Sequence, residues 1–321
     1  MNDDLSGYSE FSVSRVTNLN NALLRAWPLP MPSADGDKEE RGRILVIAGS
    51  REMPGAVILA ATAALHAGAG KLTIATGASI ANLVALAIPE SRVIELEETP
   101  GGAIAPAAAE TLGSLGSRYD AVLIGPGMQD EPATCAFVLS LLPRLKDAKV
   151  VLDACAMNVV RRQLQAVDAH GTHAQQKFIA SFASPVLLTP HAGEMAHLTA
   201  LDKKSIQANP CDAARVAARR WNAYVALKGA ITFIADPAGN VWRHEGGNIG
   251  LAISGSGDTL AGIIAGLAAR GAPLEQATAW GVALHARAGD ALAEQFGPLG
   301  FLARDIAAQV PRLMHRLGRA D

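Results

Sequence analysis

Short apolar runs alternate along this chain with longer stretches whose apolar residues recur at helical spacing. The strand-length runs are 44–48, 72–75, 93–96, 121–124, 150–152, 186–188, 224–227 and 232–235. The early runs are apolar on both faces, the pattern of strands buried inside a parallel sheet. Helices are predicted between them at 55–67, 132–145, 203–221 and 274–293. Such alternation predicts an α/β fold, doubly wound around a mostly parallel central sheet with right-handed crossovers. One more helix is predicted after Asp258. Leu260, Ile263, Ile264 and Leu267 line one face of it, Gly262 and Gly266 let another element pack close, and Gly271 stops it.

Residues 1–40 read differently. Pro28, Pro30 and Pro32 forbid a helix there, and the stretch from Ser33 to Asp37 reads as a loop. Trp27, beside Leu23 and Leu24, is expected to pin this arm to the body. No linker and no repeat interrupt the remainder. The expected organisation is therefore an arm over 1–40, partly packed on a single catalytic domain over 41–321.

In a sheet of this kind ligands bind beyond the carboxyl ends of the strands. Several polar or glycine-rich groups fall there: Gly49-Ser50 leading to Met53-Pro54-Gly55-Ala56, then Gly125-Pro126-Gly127, Asp153, the segment Thr189-Pro190-His191-Ala192-Gly193-Glu194, and Lys228-Gly229. The most informative segment is Ser254-Gly255-Ser256-Gly257-Asp258-Thr259-Leu260-Ala261-Gly262. A glycine turn running into an apolar helix presents unpaired N–H groups and the positive end of the helix dipole, a setting for phosphate. A carboxylate beside phosphate is repelled by it, and a general base that takes a proton from a hydroxyl resolves the conflict.

The turn lacks the Gly-Lys-Ser/Thr of a Walker loop, and residue 260, where a dinucleotide fingerprint needs glycine, is Leu. Plainer readings stand beside the functional ones. Asp258 can be an ordinary first-turn acid, Glu194 a helix cap or the holder of a magnesium-bound water, and His191 a loop residue. Asp153 can bind metal or cap the next helix, Lys228 can meet phosphate or end a strand on the surface, and Cys155 reads as a small buried residue.

Composition narrows the classes. Half of the 321 residues are hydrophobic, only 4% are aromatic, and the formal net charge is −2, which fits close helix-on-sheet packing and argues against nucleic acid. Cys135, Cys155 and Cys211 form neither a disulfide framework nor a metal-ligand spacing, so a cytoplasmic setting is expected. The acidic start is unlike a signal peptide, and no apolar run reaches the roughly 18 residues of a membrane span.

Taken in order, these segments resemble the ADP/ATP-dependent NAD(P)H-hydrate dehydratases, a branch of the ribokinase-like superfamily. The likeness runs from about Val16 to the C-terminus and includes Gly42–Ser50, Met53–Ala56, His66–Gly70, Gly125–Gly127, Leu152–Ala154, Thr189–Glu194, Lys228–Ala230 and the glycine turn. It implies a ribokinase-like three-layer sandwich and repair of hydrated nicotinamide nucleotides. The ring hydroxyl of (S)-NADH hydrate or (S)-NADPH hydrate is phosphorylated at the expense of ADP, giving AMP, and phosphate then leaves to restore NADH or NADPH. Matching positions imply Asp258 as the base and Gly255, Ser256 and Gly257 as the anion hole. They imply Ala56, Gly127, His191 and Asp258 as hydrate contacts, and Lys228, Gly229, Ala230, Ile231, Thr232 and Gly257 as ADP/AMP contacts. Magnesium is implied by the nucleotide phosphates, with Glu194 as a candidate holder through water and no other clear ligand.

Two positions depart from many relatives: Cys155 stands where Asp is common and Ala192 where Pro is common. The resemblance also implies a homo-oligomer, often a tetramer, and a separate NAD(P)H-hydrate epimerase acting upstream, since no epimerase domain stands in front. Two other readings use the same turn. A hydroxyethylthiazole- or sugar-type kinase of the superfamily would release the phosphorylated product, and a nucleotide sensor would bind without turnover.

Overall fold

The computed structural model describes residues 16–33, 35, 37, 39–113, 118–161, 166–167, 173–174 and 180–318. The first part of the chain supplies β1 (Val16–Asn18), α1 (Asn21–Ala26), β2 (Arg43–Ile47), α2 (Pro54–His66), β3 (Lys71–Gly77), α3 (Ala78–Ala87), β4 (Ser91–Leu96), α4 (Ala108–Gly113), β5 (Ala121–Ile124), α5 (Glu131–Leu141) and β6 (Lys149–Leu152). A two-stranded ribbon of β7 (Ala166–Val167) and β8 (His173–Ala174) follows, then β9 (Leu187–Leu188), α6 (Ala192–Thr199), α7 (Lys203–Ala208) and α8 (Pro210–Trp221). The chain closes with β10 (Tyr224–Leu227), β11 (Ile231–Ala235), β12 (Val241–Glu245), α9 (Ser256–Ala269), α10 (Leu274–Phe296) and α11 (Ala303–Leu317).

Ten strands make one sheet in the order β1-β12-β11-β10-β9-β6-β5-β2-β3-β4. Every pairing is parallel except the two made by β11, which runs against its neighbours. Side chains alternate across the sheet and fill a core on each face. On β2, Ile44 and Val46 enter the core beneath α2, α9 and α10, while Leu45 and Ile47 enter the core beneath α4, α5 and α8. Helices on both faces of a mostly parallel sheet give the three layers expected from the alternation.

The order also fixes where a ligand can sit. The chain leaves β2 toward β3 and β4 on one side, then returns to place β5 on the other. The crevice at this reversal, beyond the carboxyl ends of β2 and β5, is the topological switch point. Gly49 N–H donates to Pro126 O there at 2.7 Å, which ties the two strand ends together.

Several predicted boundaries change. The single helix expected over 203–221 is two, because Pro210 lacks an N–H and turns Asn209 out of helical geometry (φ −133°, ψ 59°). The helix expected over 132–145 starts at Glu131 and ends at Leu141, followed by a 3₁₀ turn over Leu142–Arg144 that contains Pro143. The helix predicted after Asp258 begins two residues earlier, at Ser256, so the aspartate lies inside its first turn. The edge strand β1, its neighbour β12 and the helices α3 and α11 extend beyond the predicted set.

Residues 16–33 run along the body. Val16–Asn18 pair with Val241–Arg243, and the Trp27 ring stacks on Trp242 with centroids 6.2 Å apart. Trp27 O accepts from Trp280 Nε1 at 2.8 Å and from Gln276 Nε2 at 3.0 Å, while Leu24 is wholly buried. Residues 1–15, and with them the start of the expected arm, lie outside the described residues.

Candidate active site

The first turn of α9 forms the floor of the site. Gly255 is its N-cap in left-handed geometry (φ +86°), a conformation glycine adopts without a side-chain clash, and no side chain caps the N–H groups that follow. Asp258 sits in this turn. Burial, then the negative charge of Asp153, push its carboxyl up to about 6, with Glu194 adding to the rise and Lys228 opposing it. A carboxylate with its affinity for a proton raised toward neutrality is suited to general-base work.

Lys228 ties the strand ends to this turn. Its Nζ lies 3.4 Å from Asp153 Oδ1 and 3.8 Å from Glu194 Oε2. It also lies 3.4 Å from where a Cβ on Gly257 would be. Burial alone would lower the ammonium, but Asp153, Glu194 and Asp258 outweigh it and hold the lysine above its ordinary value. Lys228 is thus a charged group held within the site, and the surface reading of this residue does not apply.

Asp153 is buried and accepts from Thr189 Oγ1 at 2.5 Å. That bond and Lys228 occupy its side chain, so it does not cap the 3₁₀ turn Ala154–Val160 that follows, contrary to one of the two sequence readings. Cys155, expected to be buried, is only half-buried against the adjoining core. It lies just past the end of β6, where the sheet gives way to surface.

His191 and Glu194 form a reciprocal capping box on α6. His191 Nδ1 accepts from Gly193 N at 3.0 Å and Glu194 N at 3.2 Å, and Glu194 Oε2 accepts from His191 N at 2.7 Å. The capping expectation holds for Glu194, and it leaves the functional one open. The His191 side chain is 59% exposed, and Glu194 still faces Lys228.

Beside this cluster runs a groove of about 560 Å³. The β10–β11 hairpin, from Leu227 to Ile231 with Phe233, forms one wall. His191, Gly193, Lys203, Gln207 and Pro210 are among the residues of the other. Lys228, Gly229, Ala230 and Ile231 therefore share one surface with His191, while Thr232 Oγ1 donates to Gly229 O at 3.4 Å within the hairpin. Ala56 and Gly127 meet at the switch-point crevice instead, so close that a Cβ on Gly127 would lie 2.5 Å from Ala56 Cβ.

Gly55, on the rim of that crevice, is exposed, and a Cβ there would meet nothing within 4 Å. Gly55→Ala is expected to stabilise the chain by about 0.4–1 kcal/mol, through reduced freedom of the unfolded state. Thermal unfolding checks the sign.

Two partners escaped the sequence reading of the site. Thr189 was only part of a segment there, yet it holds Asp153. His285, on α10, places Nε2 3.0 Å from Ser256 Oγ and 3.1 Å from Ser256 O, at the centre of the glycine turn. The available signal was a polar residue on the stripe Gly281–His285–Gly289. Gly281 packs against Ile264 of α9, which turns that stripe inward.

Among the described residues, no three His, Cys, Asp or Glu side chains gather as a metal-binding group. The carboxylates of Asp153 and Glu194 lie against the Lys228 ammonium and the charge of Asp258 also acts on it, so negative charge is in excess. Oxygen donors in excess fit a hard cation that keeps its waters and takes its remaining ligands from phosphate.

Comparison with known proteins shows the family. The family model described as NAD(P)H-hydrate dehydratase matches residues 44–312. An ADP-dependent (S)-NAD(P)H-hydrate dehydratase of Xanthomonas campestris is 46% identical over 95% of this chain and 98% of its own. A bifunctional NAD(P)H-hydrate repair enzyme of Moorella thermoacetica is 39% identical over 92% of this chain, which spans 54% of that longer protein. The solved structure of an ADP/ATP-dependent NAD(P)H-hydrate dehydratase from Bacillus subtilis, co-crystallised with ATP and Mg²⁺, superposes with a TM-score of 0.77 at 28% identity. That superposition covers 94% of this chain and 99% of the other. The architecture is ribokinase-like, and the chain belongs to the NAD(P)H-hydrate dehydratase family.

Proposed function

We propose that this protein dehydrates (S)-NADH hydrate and (S)-NADPH hydrate to NADH and NADPH, using ADP and releasing AMP and phosphate. The observation that carries this reading is Asp258, a proton-seeking carboxylate in the first turn of α9 directly after the glycine turn. In this reading Asp258 takes the proton of the ring hydroxyl as its oxygen attacks the β-phosphorus of ADP, and AMP departs. N–H groups of Gly255, Ser256 and Gly257 stabilise the charge on the phosphoryl in transit. The C–O bond then breaks with phosphate as leaving group, the ring nitrogen supplying electrons, and loss of the neighbouring ring proton restores the dihydronicotinamide.

Ala56 and Gly127 are assigned to the hydrate at the switch point, with His191 reaching it from the groove. Lys228, Gly229, Ala230, Ile231, Thr232 and Gly257 are assigned to the nucleotide. The excess carboxylate oxygens support a magnesium ion held by nucleotide phosphates and, through water, by Glu194. Such an ion supplies charge neutralisation on the phosphates. Further assignments complete the reading. Residues 1–40 are an arm on a catalytic domain spanning 41–321, and the protein works in the cytoplasm as a homo-oligomer, as a tetramer in its fullest form. A separate NAD(P)H-hydrate epimerase upstream supplies the (S) epimer. Among the described residues, no helix is long and apolar enough to cross a membrane.

Purified protein given NADH hydrate, Mg²⁺ and either ADP or ATP tests the proposal by the return of NADH absorbance. Recovery faster with ADP than with ATP is expected. No recovery with either nucleotide overturns the dehydratase reading, and a phosphorylated hydrate that accumulates without NADH indicates a kinase instead.

A further inference from the structure

Among the described residues, His285 is the one histidine with a hydrogen-bond contact to the glycine turn, and nothing in the reaction above uses it. It reaches Ser256, the middle residue of the anion hole, from a different helix, 29 residues away. Nε2 stands 3.0 Å from Ser256 Oγ and 3.1 Å from Ser256 O. A carbonyl oxygen can only accept, so Nε2 must carry hydrogen and point it at the first turn of α9. Burial, with the Lys228 charge adding to it and the Ser256 backbone bond opposing, pulls the imidazole down to about 4. The ring is therefore neutral at physiological pH, with its one proton on Nε2.

The contact bears on the site because of what Ser256 lacks. It follows a glycine in left-handed geometry, and no side chain caps the start of α9. Within its own sequence the turn is held by Ser256 N–H on Ile253 O at 3.3 Å and by Thr259, whose N–H and Oγ1 both donate to Gly255 O at 3.0 Å, while the Ser256 hydroxyl is met by His285. Gly281, one turn before His285 on α10, lies so near α9 that a Cβ there would be 2.5 Å from Ile264 Cγ1. The two helices are thus in direct contact, and His285 is fixed relative to the turn.

We propose that His285 is a positioning residue for phosphoryl transfer, clamping Ser256 through Nε2–H so that the anion hole keeps its geometry. The inference rests on the dehydratase reading for its reaction but not for its ligand, because the anion hole meets the β-phosphoryl of ADP whatever accepts it. Two substitutions separate clamping from packing. His285→Leu removes the donor and keeps the bulk. His285→Gln restores an N–H at nearly the same distance along the side chain.

His285→Leu is expected to lower kcat about tenfold with the KM for NADH hydrate little changed, the signature of an interaction used in the transition state. It is also expected to weaken ADP several-fold more than AMP in titration calorimetry, since only ADP reaches the anion hole. His285→Gln should recover most of both losses. Wild-type kcat in His285→Leu, or an equal loss in His285→Leu and His285→Gln, overturns the proposal. If the wild-type protein itself returns no NADH, the dehydratase reading fails, while the ratio of ADP to AMP affinity still decides the role of His285.

Discussion

Asp258→Asn is expected to lower turnover by about 10²–10⁴-fold and to leave nucleotide affinity near the wild-type value. The amide keeps the shape of the carboxyl but cannot take a proton from the hydrate hydroxyl. On the proposed mechanism the backbone N–H groups at the start of α9 meet phosphate, and the substitution leaves them unchanged. Single-turnover measurement with ADP and NADH hydrate checks the rate, and calorimetry with ADP checks binding. A variant turning over near the wild-type rate would remove Asp258 from the role of base.

The pH dependence follows from the same carboxyl. Its pKa is raised from 3.8 to about 6, chiefly by burial. The base is charged and active above that value, so kcat/KM should fall as pH drops through about 6 in the wild-type protein. Stability moves the other way. A carboxyl that binds its proton more tightly folded than unfolded favours the folded state at low pH, and that contribution is lost as pH rises from about 4 to about 6. At pH 7.5 the wild-type chain therefore bears the full cost of a partly buried charge, and Asp258→Asn should unfold at a higher temperature. The gap in Tm should close below pH 4. A site that gains stability on losing its base is one whose environment is arranged for chemistry rather than for folding.

How much of this is legible in the sequence depends on the range of the interactions. Strands 121–124 and 224–227 fall where their apolar runs predict, because a strand buried on both faces declares itself in its own residues. Local devices are equally visible. The capping box of His191 and Glu194 is a three-residue spacing, and the break before Pro210 is a property of proline, although the helical pattern on both sides masked it. The edge strand β1 and its neighbour β12 are different, since Val16–Asn18 is a strand only because Val241–Arg243 lies beside it. In the site, the glycine turn announces an anion, and its aspartate announces a conflict that a base resolves. The partners that tune it come from other elements: Asp153 from the end of β6, Lys228 from the end of β10, and His285 from α10. Nothing in the spacing of 153, 228, 258 and 285 places them together. Only the strand order and the packing of α9 against α10 do that.

Gly262→Ala is expected to destabilise the fold by about 3 kcal/mol, at the upper end of what overpacking a well-filled core costs. A Cβ at Gly262 would lie 2.1 Å from Ala60 O, and one at Gly266 2.4 Å from Ala64 O. These oxygens belong to the backbone of α2, so no side chain can swing aside, and the helices must move apart. The glycine pair four residues apart thus sets the distance between α2 and α9. Those helices begin at the two halves of the site: α2 starts beside Ala56 at the switch point, and α9 starts at the anion hole with Asp258. Forcing them apart should displace the base from the hydrate as well as loosen the core. A Tm lowered by several degrees, together with a kcat that falls by more than the KM for hydrate rises, is the expected result for Gly262→Ala. Gly55→Ala, at the start of α2 and in open space, should shift Tm the opposite way. Equal Tm values for Gly262→Ala and the wild-type chain would mean that the spacing of α2 and α9 is set by something other than this pair of glycines.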